Sequence, residues 1–254
     1  MVERDLADVG TDGIDGDQWH RDSLTEAAAR RHLASGLRND CCVRYESDDA
    51  FDPYGGRPPP EVLTARLLVA TPRLEDPNFS RRTVLVLDHG DHGALGVVLD
   101  APGGVPVGEV LPRWHPLALP PAELFVGGPV ARNAVIGLAR LRASSAEERH
   151  DGADLPDGWT PLIDDANPVG TFDLEADPGS ESDVILGIRL FSGYSGWGSG
   201  QLEAEIAEGS WFVVGAEAHD IISADPEGLW RRVLRRQGGS LAVVSGYPTD
   251  PAAN

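Results

Sequence analysis

The chain has 254 residues, a formal net charge of −20, and arginine at every one of its 21 basic positions. That charge leaves no broad electropositive face, so direct nucleic-acid binding and attachment to an anionic membrane are disfavoured. With 41% hydrophobic residues there is material for one large domain, and no apolar run reaches the ~20 residues that a bilayer span needs.

Residues 1–62 stand apart. They hold 14 acids against seven arginines, with apolar residues scattered rather than periodic. One short helix is predicted over Leu24 to Leu37, capped by Asp22-Ser23, and Asp48 to Pro60 reads as linker. The region is expected to be a largely disordered acidic extension, with the folded domain over 63–254. Four acids in the first 12 residues, and no apolar segment, argue against a signal peptide. Cys41 and Cys42 are adjacent, so they staple nothing distant and match no zinc spacing. A reducing, cytoplasmic setting is the expectation.

From Arg66 the pattern changes. Arg66–Ala70 is a predicted strand, ended by Thr71-Pro72, and Asp76-Pro77-Asn78-Phe79 is turn chemistry. Arg82–Leu87 and Ala94–Leu99 are two further strands, joined as a hairpin by the six residues Asp88-His89-Gly90-Asp91-His92-Gly93. Val105–Leu111 supplies a helical turn or two. Leu124-Phe125-Val126 is a strand running into Gly127-Gly128-Pro129, with Val135–Leu141 as its expected partner. Glu147–Asp183 carries 12 acids against the single Arg149, an exposed excursion with two short edge strands at 161–163 and 169–172.

Val184–Leu190 is a buried strand that leads into Phe191-Ser192-Gly193-Tyr194-Ser195-Gly196-Trp197-Gly198-Ser199-Gly200, read as a glycine-rich turn. A helix follows from Gln201, with Leu202, Glu205 and Ile206 at helical spacing, and Gly209 closes it. Trp211–Val214 is a strand. The last helix is capped by Asp225, has Pro226 at its first position, and is stopped by Gly238-Gly239. Its arginines, 231, 232, 235 and 236, flank an apolar stripe; they could grip phosphate, but the expectation is that they pair with the protein's own acids or line a partner surface. Strands outnumber helices and most connections are short. The fold class is therefore α+β, with a mostly antiparallel or mixed sheet curled on itself and a few flanking helices.

Strand, glycines, then a helix start is the layout that offers backbone N–H groups to an anion. Here it misses the dinucleotide fingerprint, because Glu203 stands where the third glycine belongs. It misses the phosphate-binding P-loop, which requires Lys. It misses the nucleophile elbow by one residue. Tyr194 and Trp197 can equally be core anchors, with Ser195, Ser199 and Gln201 as caps. Asp88-His89 with Asp91-His92 could ligate a metal, but no third histidine lies nearby. A Ser195-His89-Asp88 triad can be drawn, though nothing in the sequence fixes its geometry.

Four motifs together resemble the YqgE/AlgH family: Leu68-Val69-Ala70-Thr71-Pro72 with Asp76 to Arg81; Asp88-His89 with Gly93 to Leu99; Phe125-Val126-Gly127-Gly128-Pro129-Val130; and Gly193 to Glu203 with Glu205 to Trp211. They run in the family's order over residues 63–240. The resemblance implies a compact domain whose bifurcated sheet folds into a pseudo-barrel. It also implies a bacterial cytosolic protein, sometimes labelled a transcriptional regulator. It brings no catalytic residues, and no cofactor or metal is assigned. Asp100-Ala101-Pro102 departs from the family's Asn-Arg-Pro, and His92 replaces its more usual acid.

The function expected on these grounds is a non-enzymatic regulatory module that binds a small ligand or a partner protein. The candidate binding residues are His89, Gly127, Gly128, Pro129, Gly193, Tyr194, Ser195, Gly196, Trp197, Ser199 and Gln201. The alternative is an enzyme with Ser195 or His89 in a pocket at the same segment.

Overall fold

Leu67–Ala70, Val84–Leu87 and Val97–Leu99 are unbroken apolar runs, and such runs form strands covered on both faces. The computed structural model describes residues 62–142, 158–163, 168–176, 178 and 183–248. All of them belong to the unit Cys42–Asn254. The expected N-terminal helix, the linker, the two cysteines and much of the acidic excursion lie outside the described residues.

Ten strands form the sheet: β1 Arg66–Ala70, β2 Thr83–Gly90, β3 Gly93–Val98, β4 Pro102–Pro106, β5 Glu123–Val126, β6 Val130–Leu141, β7 Trp159–Ile163, β8 Val169–Phe172, β9 Ile185–Trp197 and β10 Trp211–Gly215. The order is β10-β1-β2-β3-β9-β6-β8-β7, with β4–β5 branching off through β9. Every pairing is antiparallel except β5 with β9. The sheet curls into a half-barrel, as expected. The helices are α1 Val107–Val110, α2 Gln201–Ala207, α3 Ala218–Ile221, α4 Leu229–Gln237 and α5 Gly239–Val244, with a short 3₁₀ turn at His115–Leu117.

Alternation along the strands divides the interior. Leu67, Val69, Leu85, Val97 and Leu99 meet Leu229, Trp230, Val233 and Leu234 of α4 on one face. Leu68, Ala70, Val84, Val86 and Val98 meet Leu202 and Ile206 of α2 on the other. A third cluster joins β6, β8 and β9 to Val107 and Trp114. Arg189 of β9 is buried as well. Its guanidinium donates to the carbonyls of Ile221, Pro120 and Ser223 at 2.7–3.0 Å and lies 4.5 Å over the Phe125 ring. Burial lowers its pKa to about 10, and the contacts tie the end of α3 to the sheet.

Several expectations need correction. The 82–99 hairpin forms, but its loop is only Asp91-His92, because β2 continues to Gly90 across a bulge between Val86 and Asp88. β6 pairs β9 and β8, not β5, whose own partners are β4 and β9. Most importantly, the glycine-rich segment is not a turn, since β9 runs for 13 residues through Trp197. Gly193, Ser195 and Trp197 are buried while Ser192, Tyr194 and Gly196 are more open, so the segment carries the period-two signal of a strand. Only Gly198-Ser199-Gly200 turns. The last helix begins at Leu229 rather than Pro226: Asp225 Oδ1 accepts from the Gly228 N–H at 3.3 Å and caps the preceding turn. Gly238 does stop α4, and α5 follows at once.

Candidate functional site

β9 changes partners along its length. It pairs with β6 over residues 185–194, with β5 at Phe191 and Ser192, and with β3 at Ser195–Trp197. Where the partners change, the Gly127-Gly128 corner crosses it at backbone contact. The Gly127 N–H donates to the Ser192 carbonyl, and the Gly127 carbonyl accepts from the Val98 N–H, both at 2.9 Å. A Cβ on Gly128 would stand 2.3 Å from the Tyr194 carbonyl carbon and oxygen, so only glycine fits. Gly193, at φ +73°, sits opposite the β6 bulge between Val130 and Val135. Ser195 is 0% exposed, and its hydroxyl donates to the Gly127 carbonyl at 3.3 Å. Gly127, Gly128, Gly193, Tyr194 and Ser195 thus meet in space, and Pro129 is exposed beside them.

The other candidate residues gather near α2. Glu205 Oε2 accepts from the indole N–H groups of Trp197 and Trp211, at 2.9 and 2.8 Å. Phe79 stacks on Trp197 and meets Trp211 edge-on. Gln201 holds this group in register: its Oε1 accepts from the Gly198 N–H, and its Nε2 donates to Glu205 Oε1, each at 3.0 Å. The helix N-cap is Gly200 at φ +73°, with no side-chain cap, so neither Ser199 nor Gln201 caps it. Ser199 is exposed. His89 Nε2 lies 2.7 Å from Glu203 Oε1, next to Ala94 and Trp197 across the sheet. His89 therefore faces α2 and pairs with Glu203, while the Ser195 hydroxyl is spent on a backbone carbonyl.

At the other end of β2, seven residues and roughly 20 Å from His89, lies an open cleft. Pro77, Asn78, Arg82, Val98, Ala101, Pro102, Val126 and Gly128 line it. Its volume of about 180 Å³ is below the several hundred that enclose a drug-sized ligand. Its lining side chains are apolar apart from Asn78 and Arg82, while backbone and polar side-chain atoms supply about half of its exposed lining. Arg82 Nη1 donates to the Asp100 backbone carbonyl at 2.6 Å, which fixes the guanidinium at the rim. Asn78 Nδ2 donates to Asp76 Oδ1 at 3.1 Å. The Asp100 carboxyl is 1% exposed, and both of its oxygens accept from the Thr83 N–H, at 3.1 and 3.2 Å. Burial raises its pKa to about 7, offset in part by the Thr83 N–H and the Arg82 charge. The Thr83 hydroxyl is sealed from solvent next to this carboxyl.

Residues 67–242 match the AlgH-like family. The chain belongs to that family. A UPF0301 protein of Streptomyces coelicolor is 48% identical over 192 residues, covering 76% of this chain and 95% of its own length. One from Thermobifida fusca is 47% identical over 198 residues, covering 76% and 96%. Two solved structures share the AlgH-like architecture. A Corynebacterium diphtheriae protein is 31% identical with a TM-score of 0.67, covering 76% of this chain and 97% of its own. The solution structure of the AlgH protein from Pseudomonas aeruginosa is 26% identical with a TM-score of 0.50, covering 76% and 98%. Among the described residues no helix is long and apolar enough to cross a membrane.

Of the candidate residues read from the sequence, only Gly128 lines the cleft. Asn78, Arg82, Ala101 and Val126 were missed as site residues. Two signals pointed toward them: the Asp76-Pro77-Asn78-Phe79 turn, read as local chemistry, and the departure at Asp100-Ala101-Pro102.

Proposed function

We propose that this AlgH-like chain is a non-enzymatic recognition module, acting in the cytoplasm, with residues 63–254 as its working domain. The cleft between the Asp76–Phe79 turn and the Gly127-Gly128 corner is where it takes a small ligand or a small group on a partner. One contrast supports this reading. The polar side chains of the glycine-rich segment are largely spent inside the protein: Ser195 on Gly127, Gln201 on Gly198 and Glu205, Glu205 on two tryptophans. Arg82, by contrast, makes a single backbone hydrogen bond and opens onto a cleft whose other lining side chains, Asn78 apart, are apolar. Rigid apolar walls with one or two oriented polar groups are what small-molecule recognition uses.

The test is a fragment library screened by amide chemical-shift mapping on the full chain. Hits should shift Asn78, Arg82, Ala101, Val126 and Gly128 together. Hits confined to His89, Ser199 and Glu203 would move the site to the α2 end. Ser195-dependent turnover of any fragment would overturn the non-enzymatic reading.

A further inference from the structure

We propose that the cleft takes a short aliphatic carboxylate, its acid group on Arg82 and Asn78 and its tail against Val98, Ala101, Pro102 and Val126. This rests on the cleft being the recognition site and adds the chemical class of what it recognises. A guanidinium has five N–H donors in a planar fork that matches a carboxylate. The hydrogen bond to the Asp100 carbonyl uses one donor and fixes the fork, leaving the others for a ligand. Among the described residues no carboxylate pairs with Arg82, whereas Arg232 and Arg236 on α4 are held by Asp225, Asp220 and Glu217. An arginine at a cleft rim whose nearest acid, Asp100, is buried and makes no direct ion pair with it leaves donors for an acid supplied from outside. Asn78 adds a second donor, since its amide carries two N–H bonds and Asp76 takes one.

The rest of the cleft limits the ligand. A volume of about 180 Å³ admits a headgroup and a few carbons. One fixed guanidinium neutralises one charge, so a monocarboxylate fits better than a doubly charged phosphate ester. Val126, 37% exposed, forms an apolar wall at the mouth that an alkyl tail would cover. This chemistry is shared by free short-chain acids and by a polypeptide C-terminus that ends in an aliphatic residue.

The experiment titrates the full chain with isovalerate, followed by amide shifts and calorimetry. The other arms are isovaleramide, acetate and N-acetyl-glycyl-valine. Saturable binding of isovalerate at the cleft is expected, with the amide and acetate each weaker by roughly tenfold or more, because one lacks the charge and the other the tail. Arg82→Gln should weaken isovalerate by a similar factor. Arg82 also holds the Asp100 carbonyl, so Val126→Trp provides a separate test: it fills the mouth, leaves Arg82 in place, and should abolish binding. If the peptide acid binds about tenfold tighter than isovalerate, a chain terminus is the source; if it binds more weakly, a free acid is. Isovaleramide binding as tightly as isovalerate, Arg82→Gln binding unchanged, or no saturation by about 50 mM, a contact worth less than about 2 kcal/mol, would each overturn the proposal. Neutral fragments that still map to the cleft would leave it standing as a recognition site for a different ligand class.

Discussion

Asp100 offers the sharpest quantitative test of the region around the cleft. Its carboxyl is sealed, both of its oxygens accept from the Thr83 N–H, and burial raises its pKa from 3.8 to about 7. The folded state therefore holds a proton that the unfolded chain has released between those two values. Stability contributed by that proton is complete at low pH and is lost as pH rises toward 7. One pKa unit is worth 1.36 kcal/mol, so the full cost of ionising Asp100 in place is roughly 4 kcal/mol, of which about 2 falls between pH 5.5 and 8.5. Asp100→Asn keeps an acceptor for the Thr83 N–H and cannot ionise. It is also the residue that the resemblance to the family leads one to expect at this position. Urea unfolding of both proteins across that range should show the stability of Asp100→Asn relative to the wild type rising by about 2 kcal/mol as pH rises. Every other ionisable group is common to both proteins and cancels in the difference. Curves that stay parallel from pH 5.5 to 8.5 would refute the reasoning, because they would mean that Asp100 is already ionised and accommodated at the lower pH.

The segment around α2 gives further predictions by the same thermal or urea measurements. Trp197→Ala should cost about 3–5 kcal/mol, since it removes a buried indole packed on Phe79 and Trp211. Glu205→Ala strands two indole N–H groups and should cost about 2–4 kcal/mol; a loss under 1 would show that water replaces it. Ser199→Ala should stay within about 0.5 kcal/mol, because Ser199 is exposed and caps nothing, whereas Gly200→Ala should cost about 1 kcal/mol for its φ of +73°. Gly128→Ala forces a Cβ into the Tyr194 backbone and should prevent folding to the native sheet, read as loss of amide-shift dispersion.

Most of the sheet was legible because its strands are unbroken apolar runs bounded by Pro, Gly and Asp. The Arg helix was legible from its stripe and its closing glycines, and Arg232 and Arg236 do pair with the protein's own acids. β9 misled for a physical reason. Glycine carries a turn signal in sequence, yet Gly193 and Gly196 lie within a strand; at Gly193 the Gly127-Gly128 corner crosses at backbone contact, a need that arises only once the corner is folded over it. Arg189 lay in a run read as buried, but the three carbonyls that hold it come from the end of α3 and from two loop residues, all 30 or more positions away in sequence. The cleft was invisible as a unit. Its walls come from three separate stretches, 77–82, 98–102 and 126–128, which only the β2–β3–β5 arrangement brings together.

The central claim is that the cleft, and not the glycine-rich strand, is the recognition surface. The most direct measurement is to repeat the fragment screen on Val126→Trp, whose wider side chain fills the mouth from an exposed position. The account predicts that the fragments shifting Arg82 and Gly128 in the wild type are lost, with the melting temperature kept within about 2 °C. An unchanged set of hits on a folded Val126→Trp protein would contradict it.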